Sequence, residues 1–229
     1  GSPATARVRI FTPAFEMPFA GHPTLGTAHV VRALRGTGDS VVLEMHAGRV
    51  PVTAAGDRWT LRAAKPPATT TPRASRAEIA AMLGLDEGAL AGDPLWVDTG
   101  SEQLVIPLVS VEHVRRAAPI AALVARHGYQ PGGREAMAYV WARDGGDRLV
   151  VRFFFTQHGA VIEDPATGSA CANLGGYLIA TGAALPVTAD LRQGEAVNRP
   201  SHLGLRVDAD QGIYVSGNVV ELGAGSFDV

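Results

Sequence analysis

The chain holds one cysteine, Cys171, in 229 residues. A lone thiol forms no internal disulfide and gives no metal-ligand spacing, so the expectation is a reducing, cytoplasmic setting. Charged residues make up only 18% of the sequence, 20 basic against 22 acidic, for a formal net charge of −2. No run of lysine and arginine stands out, which argues against a nucleic-acid partner or an anionic membrane surface. Nor does any apolar run approach the ~18 residues a membrane-spanning helix needs. His29, His46, His113, His127, His158 and His202 are scattered without ligand spacing and read as surface or packing residues.

What is present is core and turn material. Apolar residues reach 46%, and 27 glycines and 15 prolines suit a β-rich fold of short strands. Alternation predicts a strand over 7–11, a meander over 41–45, 49–53 and 58–63, and strands over 103–109 and 136–142. The continuous run 149–155 predicts a buried strand, and 203–207, 212–216 and 219–222 a second meander. Leu25, Ala28, Val30, Val31 and Leu34 share one face of a helix that Gly36 and Gly38 end. Ser75 and Glu78 form a capping box for a helix over 76–83, and short helices are expected at 111–116 and 120–125. A loop over 12–19 with Pro13 and Pro18, an exposed Pro- and Thr-rich connection over 65–72, and a turn at Gln130-Pro131-Gly132-Gly133 punctuate the chain. The expected domains are 1–97 and 98–229.

Two stretches carry the chemistry. Glu163-Asp164-Pro165-Ala166-Thr167-Gly168-Ser169-Ala170 predicts a loop between the 149–155 strand and an apolar helix that opens with Cys171-Ala172-Asn173-Leu174. Thr167 and Ser169 can cap that helix, and its small residues admit a ligand to the backbone. A helix start carries unpartnered N–H groups and partial positive charge, so it suits a carboxylate. His22-Pro23-Thr24-Leu25-Gly26-Thr27-Ala28 aligns position for position with Asp164 to Ala170: proline, glycine and alanine coincide, and Thr27 faces Ser169. A strand precedes and a meander follows each copy, so duplication is the better explanation. Two related halves about a pseudo-twofold axis would place both helix starts across an interdomain cleft, with His22 opposite Asp164. Such a site binds a small carboxylic acid and moves a proton on the neighbouring carbon.

Phe19-Ala20-Gly21-His22-Pro23-Thr24-Leu25-Gly26-Thr27-Ala28 and Glu163-Asp164-Pro165-Ala166-Thr167-Gly168-Ser169-Ala170 resemble the two signatures of the PhzF-like phenazine biosynthesis proteins. Arg9-Ile10-Phe11-Thr12-Pro13, Asp98-Thr99-Gly100-Ser101 and Val215-Ser216-Gly217 also match, so the resemblance spans essentially the whole chain. It implies the diaminopimelate-epimerase-like fold. That is an α+β architecture of two similar domains, each a curved, mostly antiparallel sheet or barrel around a central helix, related by pseudo-twofold symmetry. It implies an isomerase that works without cofactor or metal on a small carboxylate such as a dihydro-hydroxyanthranilate. The family's histidine falls on His22, its aspartate on Asp164 and its serine on Ser169. Backbone N–H groups around Gly21, His22, Gly168 and Ser169 would hold the substrate carboxylate.

The family's main acid/base is a glutamate in a segment ahead of the strand that here begins at Arg7. The chain is expected to lack it, together with the first strand and helix segment of the first domain. Glu16, the acid nearest His22 in sequence, does not sit where that glutamate does and reads as structural or surface. The alternative function is a small-molecule-binding protein or pseudoenzyme that keeps the anion pocket. Related epimerases use two facing cysteines, which Cys171 alone cannot supply; it reads as a small buried helix residue. A domain short of a strand exposes a sheet edge, and homodimerisation is the expected cover.

Overall fold

The computed structural model describes residues 3–11, 16–17, 19–63, 65–129 and 136–226. In chain order come β1 (Ala6–Arg7), β2 (Ile10–Phe11), β3 (Glu16–Met17), α1 (Gly21–Arg35) and the meander β4 (Ser40–Met45), β5 (Gly48–Ala55), β6 (Arg58–Arg62). Next are β7 (Ala68–Thr70), α2 (Arg76–Met82), β8 (Leu95–Asp98), β9 (Glu102–Pro107), α3 (Val111–Arg116) and α4 (Ala121–His127). β10 (Met137–Arg143), β11 (Arg148–Gln157), β12 (Ala160–Asp164), α5 (Gly168–Ala180), β13 (Val187–Gln193), β14 (Ser201–Val207) and β15 (Ile213–Asn218) complete the chain. It is a mixed fold of one large sheet and few helices. Thirteen strands join in the order β1-β4-β5-β6-β15-β14-β13-β11-β10-β9-β8-β7, with β12 paired beside β11, while β2 and β3 form a separate ribbon.

Period-two alternation sorts the side chains of the central strands into two cores. Val105, Tyr139, Trp141, Val151 and Phe153 face α5, and join Leu43, Val52 and Trp59 of the first meander and Leu191, Leu205 and Val215 of the second in one core. Leu104, Ile106, Val140, Val150 and Phe154 face the other way, onto Ile79, Met82, Val114 and Val124 of the short helices. α5 is buried from Ala170 to Leu178. Its Gly175 and Gly176 let strands approach closely: added Cβ atoms would lie 2.9 Å from Ile213 Cγ2 and 2.7 Å from Pro67 Cβ. α1 is gripped less, with Thr24 and Ala28 buried and Val30 and Leu34 exposed.

Several expectations are corrected. The strand expected over 7–11 is two short pieces, because β1 leaves to pair in parallel with β4 while β2 pairs with β3. No strand forms over 219–222: the Val219 N–H still donates to the Asp57 carbonyl at 3.0 Å, but no ladder continues from there, and Leu222 is 96% exposed. β13, which the sequence reading passed over, lies mid-sheet between β11 and β14. The exposed connection over 65–72 contains β7, paired to β8. α1 begins at Gly21, so His22 and Pro23 lie in its first turn, where a proline loses no intrahelical bond. β8 and β9 form a hairpin, and Trp96 shares a core with Leu104 and Val140. The Pro13 and Pro18 positions and the turn at Gln130-Pro131-Gly132-Gly133 lie outside the described residues.

Candidate active site

β12 decides which of two adjacent carboxylates is available. Neighbours on a strand point to opposite faces, and Glu163 turns to Arg152. The guanidinium grips it bidentately, Nε to Oε1 at 3.1 Å and Nη2 to Oε2 at 2.7 Å, with side chains only 14% and 8% exposed. Arg152 Nη1 also donates to the carbonyls of Val114, Arg115 and Ala117 at 3.1, 3.0 and 2.7 Å, closing the end of α3. Glu163 is thereby an anchor. Asp164 points the other way.

The Asp164 carboxylate is held by the turn that follows it. Thr167 donates its hydroxyl to Oδ2 at 2.5 Å. Gln193, buried at the end of β13, donates Nε2 to Thr167 Oγ1 at 2.9 Å and to the Asp164 carbonyl at 2.8 Å, and its Oε1 accepts the Thr167 N–H at 3.3 Å. A backbone N–H only donates and a carbonyl only accepts, so these contacts fix the orientation of the Gln193 amide. The Thr167 proton must then go to Asp164. Gly194 braces the same turn: its φ is +82°, and an added Cβ would lie 2.7 Å from the Pro165 carbonyl oxygen and collide with that of Arg199.

These contacts overturn the expected capping. Thr167 is the N-cap residue of α5, but its hydroxyl serves Asp164, and Ser169 Oγ accepts from Gln103 Nε2 at 2.9 Å; neither makes a side-chain cap. The N-cap of α1 is Ala20, which has no side-chain oxygen. The capping box of α2 forms as expected, with Ser75 accepting from the Glu78 N–H and Glu78 accepting from Ser75. Thus the structural helix is capped and the two motif helices are not.

The uncapped helix starts meet. A Cβ built on Gly21 would lie 3.8 Å from Gly168 Cα, so the two backbones approach closely where neither residue has a side chain. The partial positive charges of both helix starts are concentrated at this point. His22, next to Gly21, is exposed; Asp164 and Ser169 are half-buried on the α5 side. Glu16 is engaged by Arg9, Nε to Oε1 at 2.8 Å and Nη2 to Oε2 at 2.7 Å, and the Arg9 hydrogen bond holds its carboxyl below the usual range. Cys171 is fully buried, its thiol pushed up to about 12 by burial. Among the described residues no group of three His, Cys, Asp or Glu is placed to hold a metal ion, and no helix is long and apolar enough to cross a membrane.

The sequence reading missed Gln193, Gln103 and Asn173. A signal for two of them existed: Gln103 opens the apolar run Leu104-Val105-Ile106, and Asn173 interrupts an apolar helix. Polar groups at such positions need partners. Gln193 lies on the strand that was not foreseen.

The fold is that of a solved Bacillus anthracis protein described as a phenazine biosynthesis protein of the PhzF family. The match has a TM-score of 0.76 at 22% identity and covers 93% of this chain and 77% of that one. The family described as phenazine biosynthesis-like protein, PhzC-PhzF, matches residues 1–225, and the chain belongs to it. An uncharacterised isomerase of Pasteurella multocida is 34% identical over 228 residues, 100% of this chain and 76% of its own length. The trans-2,3-dihydro-3-hydroxyanthranilate isomerase of Pseudomonas aeruginosa is 33% identical over 228 residues, 93% of this chain and 76% of its own length. The chain is an isomerase of the PhzF family.

Proposed function

We propose that the protein catalyses a cofactor-independent isomerisation, moving a proton on a small carboxylate-bearing substrate held between its N-terminal and C-terminal halves. The observation that carries this reading is the close approach of Gly21 to Gly168, two helix starts without side-chain caps, with the Asp164 carboxylate held by the N-cap residue of α5. Backbone N–H groups around Gly21, His22, Gly168 and Ser169 bind the substrate carboxylate. Asp164 removes a proton from a nearby carbon through the oxygen that Thr167 does not engage. The negative charge spreads toward the carboxylate in an enolate-like transition state, where preoriented N–H groups stabilise it most. His22, whose imidazole can both accept and donate a proton, works with Asp164 to return the proton to another carbon. One proton leaves and one returns, so the step needs no oxidant, reductant or second substrate. A dihydro-hydroxyanthranilate, the compound for which the Pseudomonas aeruginosa relative is named, is the substrate class to try.

Turnover in deuterium oxide tests the reading. Deuterium appears at carbon in the product with the wild-type protein, and its incorporation collapses with Asp164→Asn. Undiminished incorporation by that variant refutes the role given to Asp164.

A further inference from the structure

The Ser169 hydroxyl is oriented from a distance. The chain of contacts starts in the backbone of the β8–β9 turn, where roles are fixed. The Thr99 N–H donates to Asn173 Oδ1 at 2.9 Å, and the Ser101 carbonyl accepts from Asn173 Nδ2 at 2.7 Å. Those two groups leave the Asn173 amide one orientation. The Thr99 hydroxyl adds a second donor to Oδ1 at 2.7 Å. Asn173 Nδ2 then gives its other proton to Gln103 Oε1 at 2.8 Å, so Gln103 must present Nε2, a donor, to Ser169 Oγ. Asn173 is 0% and Gln103 1% exposed, so solvent does not compete to reverse the chain. Ser169 therefore accepts from the protein and keeps its own proton. Among the described residues no acceptor for that proton lies within hydrogen-bond reach.

We propose that Gln103, oriented by Asn173, is a positioning residue that commits the Ser169 hydroxyl to donate to the ligand. The ligand must then bring an acceptor oxygen to this point. The neighbouring backbone N–H groups also only donate, and several donors converging on one group select a carboxylate over an amide or amine. This rests on the carboxylate-binding reading above and adds the device that sets its polarity.

The experiment is equilibrium binding by calorimetry of two probes, 3-hydroxyanthranilate and 2-aminophenol, which differ only by the carboxylate. The variants are Ser169→Ala, Gln103→Glu and their double. Gln103→Glu keeps the volume and the acceptor for Asn173 but removes the donor, so Ser169 turns its proton inward. Each single variant should weaken 3-hydroxyanthranilate about ten- to a hundredfold, the scale of one charge-assisted hydrogen bond, and leave 2-aminophenol within about twofold. In the Ser169→Ala background, Gln103→Glu should add less than about twofold, because its effect passes through Ser169. Should the carboxylate buried by Gln103→Glu prevent folding, Gln103→Met, which also lacks the donor, takes its place. Independent, additive losses, or equal losses for both probes, overturn the relay and reduce Gln103 to packing. A wild-type protein with no preference for the carboxylate-bearing probe overturns the carboxylate reading as well, and so is told apart from failure of the relay alone.

Discussion

Glu163 and Asp164 carry the same chemistry one bond apart, and the strand gives them opposite fates. Glu163 is locked in a buried ion pair with Arg152, while Asp164 is turned out and held through Thr167. Two substitutions should therefore separate cleanly. Asp164→Asn is isosteric and leaves a group that still accepts from Thr167, so urea unfolding should barely move; turnover should fall about 10²–10⁴-fold, as for loss of a general acid/base. Glu163→Ala strands the Arg152 charge in the interior and should cost about 3 kcal/mol in urea unfolding, as breaking a buried pair does. At a substrate concentration and temperature where that variant remains folded, its turnover should stay within a few-fold of wild type. The reverse pattern would mean that the acid at the site is Glu163.

Helices sort by how their starts are finished. α2 has a complete capping box, and Ser75→Ala should cost about 1 kcal/mol of stability with no change in turnover. α1 and α5 have no side-chain cap, and on the carboxylate-binding reading proposed above the same kind of change there should act on activity. Gly194→Ala tests the brace beneath the Asp164 turn. The left-handed φ and the approach of the Pro165 carbonyl oppose a Cβ, so stability should fall by about 1–3 kcal/mol. Turnover should drop well beyond what the remaining folded fraction accounts for, because the turn carries Asp164 and Thr167; turnover that simply tracks the folded fraction would remove Gly194 from the positioning of the acid. Much at this scale is legible in sequence. The meander over 41–63, the α2 capping box and the helix after Gly168 follow from periodicity and from local side-chain chemistry. What is not legible depends on partners far along the chain. Val187–Gln193 carries Asp190 and Arg192 at alternate positions and looks like surface, yet it becomes a central strand through pairing with β11 and β14. Thr167 looks like a cap because its position is a cap position; only Gln193, brought in by that unforeseen strand, turns its hydroxyl to Asp164.

At the scale of the molecule, the pairing of β6 with β15 joins the N-terminal meander to the C-terminal one in a single sheet, and Trp59, Trp141, Leu174 and Val215 share one core. The two halves should therefore unfold together. Trp59 reports on the first meander, Trp96 on the short-helix side and Trp141 on the shared core, so three variants each retaining one tryptophan should give coincident urea transitions. Separate transitions would show that the β6–β15 seam does not couple the halves. Alkali probes the same core by charge. Burial raises the Cys171 thiol from 9.0 to about 12, and burial raises the Tyr139 phenol well above 10.0, with Cys171 adding to the effect. In the unfolded chain both groups lose protons at their ordinary values while the folded chain retains them. Stability is therefore full below about pH 9 and falls as pH rises toward 12. Both groups sit in the core that spans the halves, so the loss should appear in all three tryptophan reporters at once, and Cys171→Ala should flatten the part that begins near pH 9. An unfolding midpoint that holds constant from pH 9 to 11 would mean that the thiol is not sequestered as its burial indicates. A midpoint that fell for Trp59 alone would mean that the first meander opens on its own.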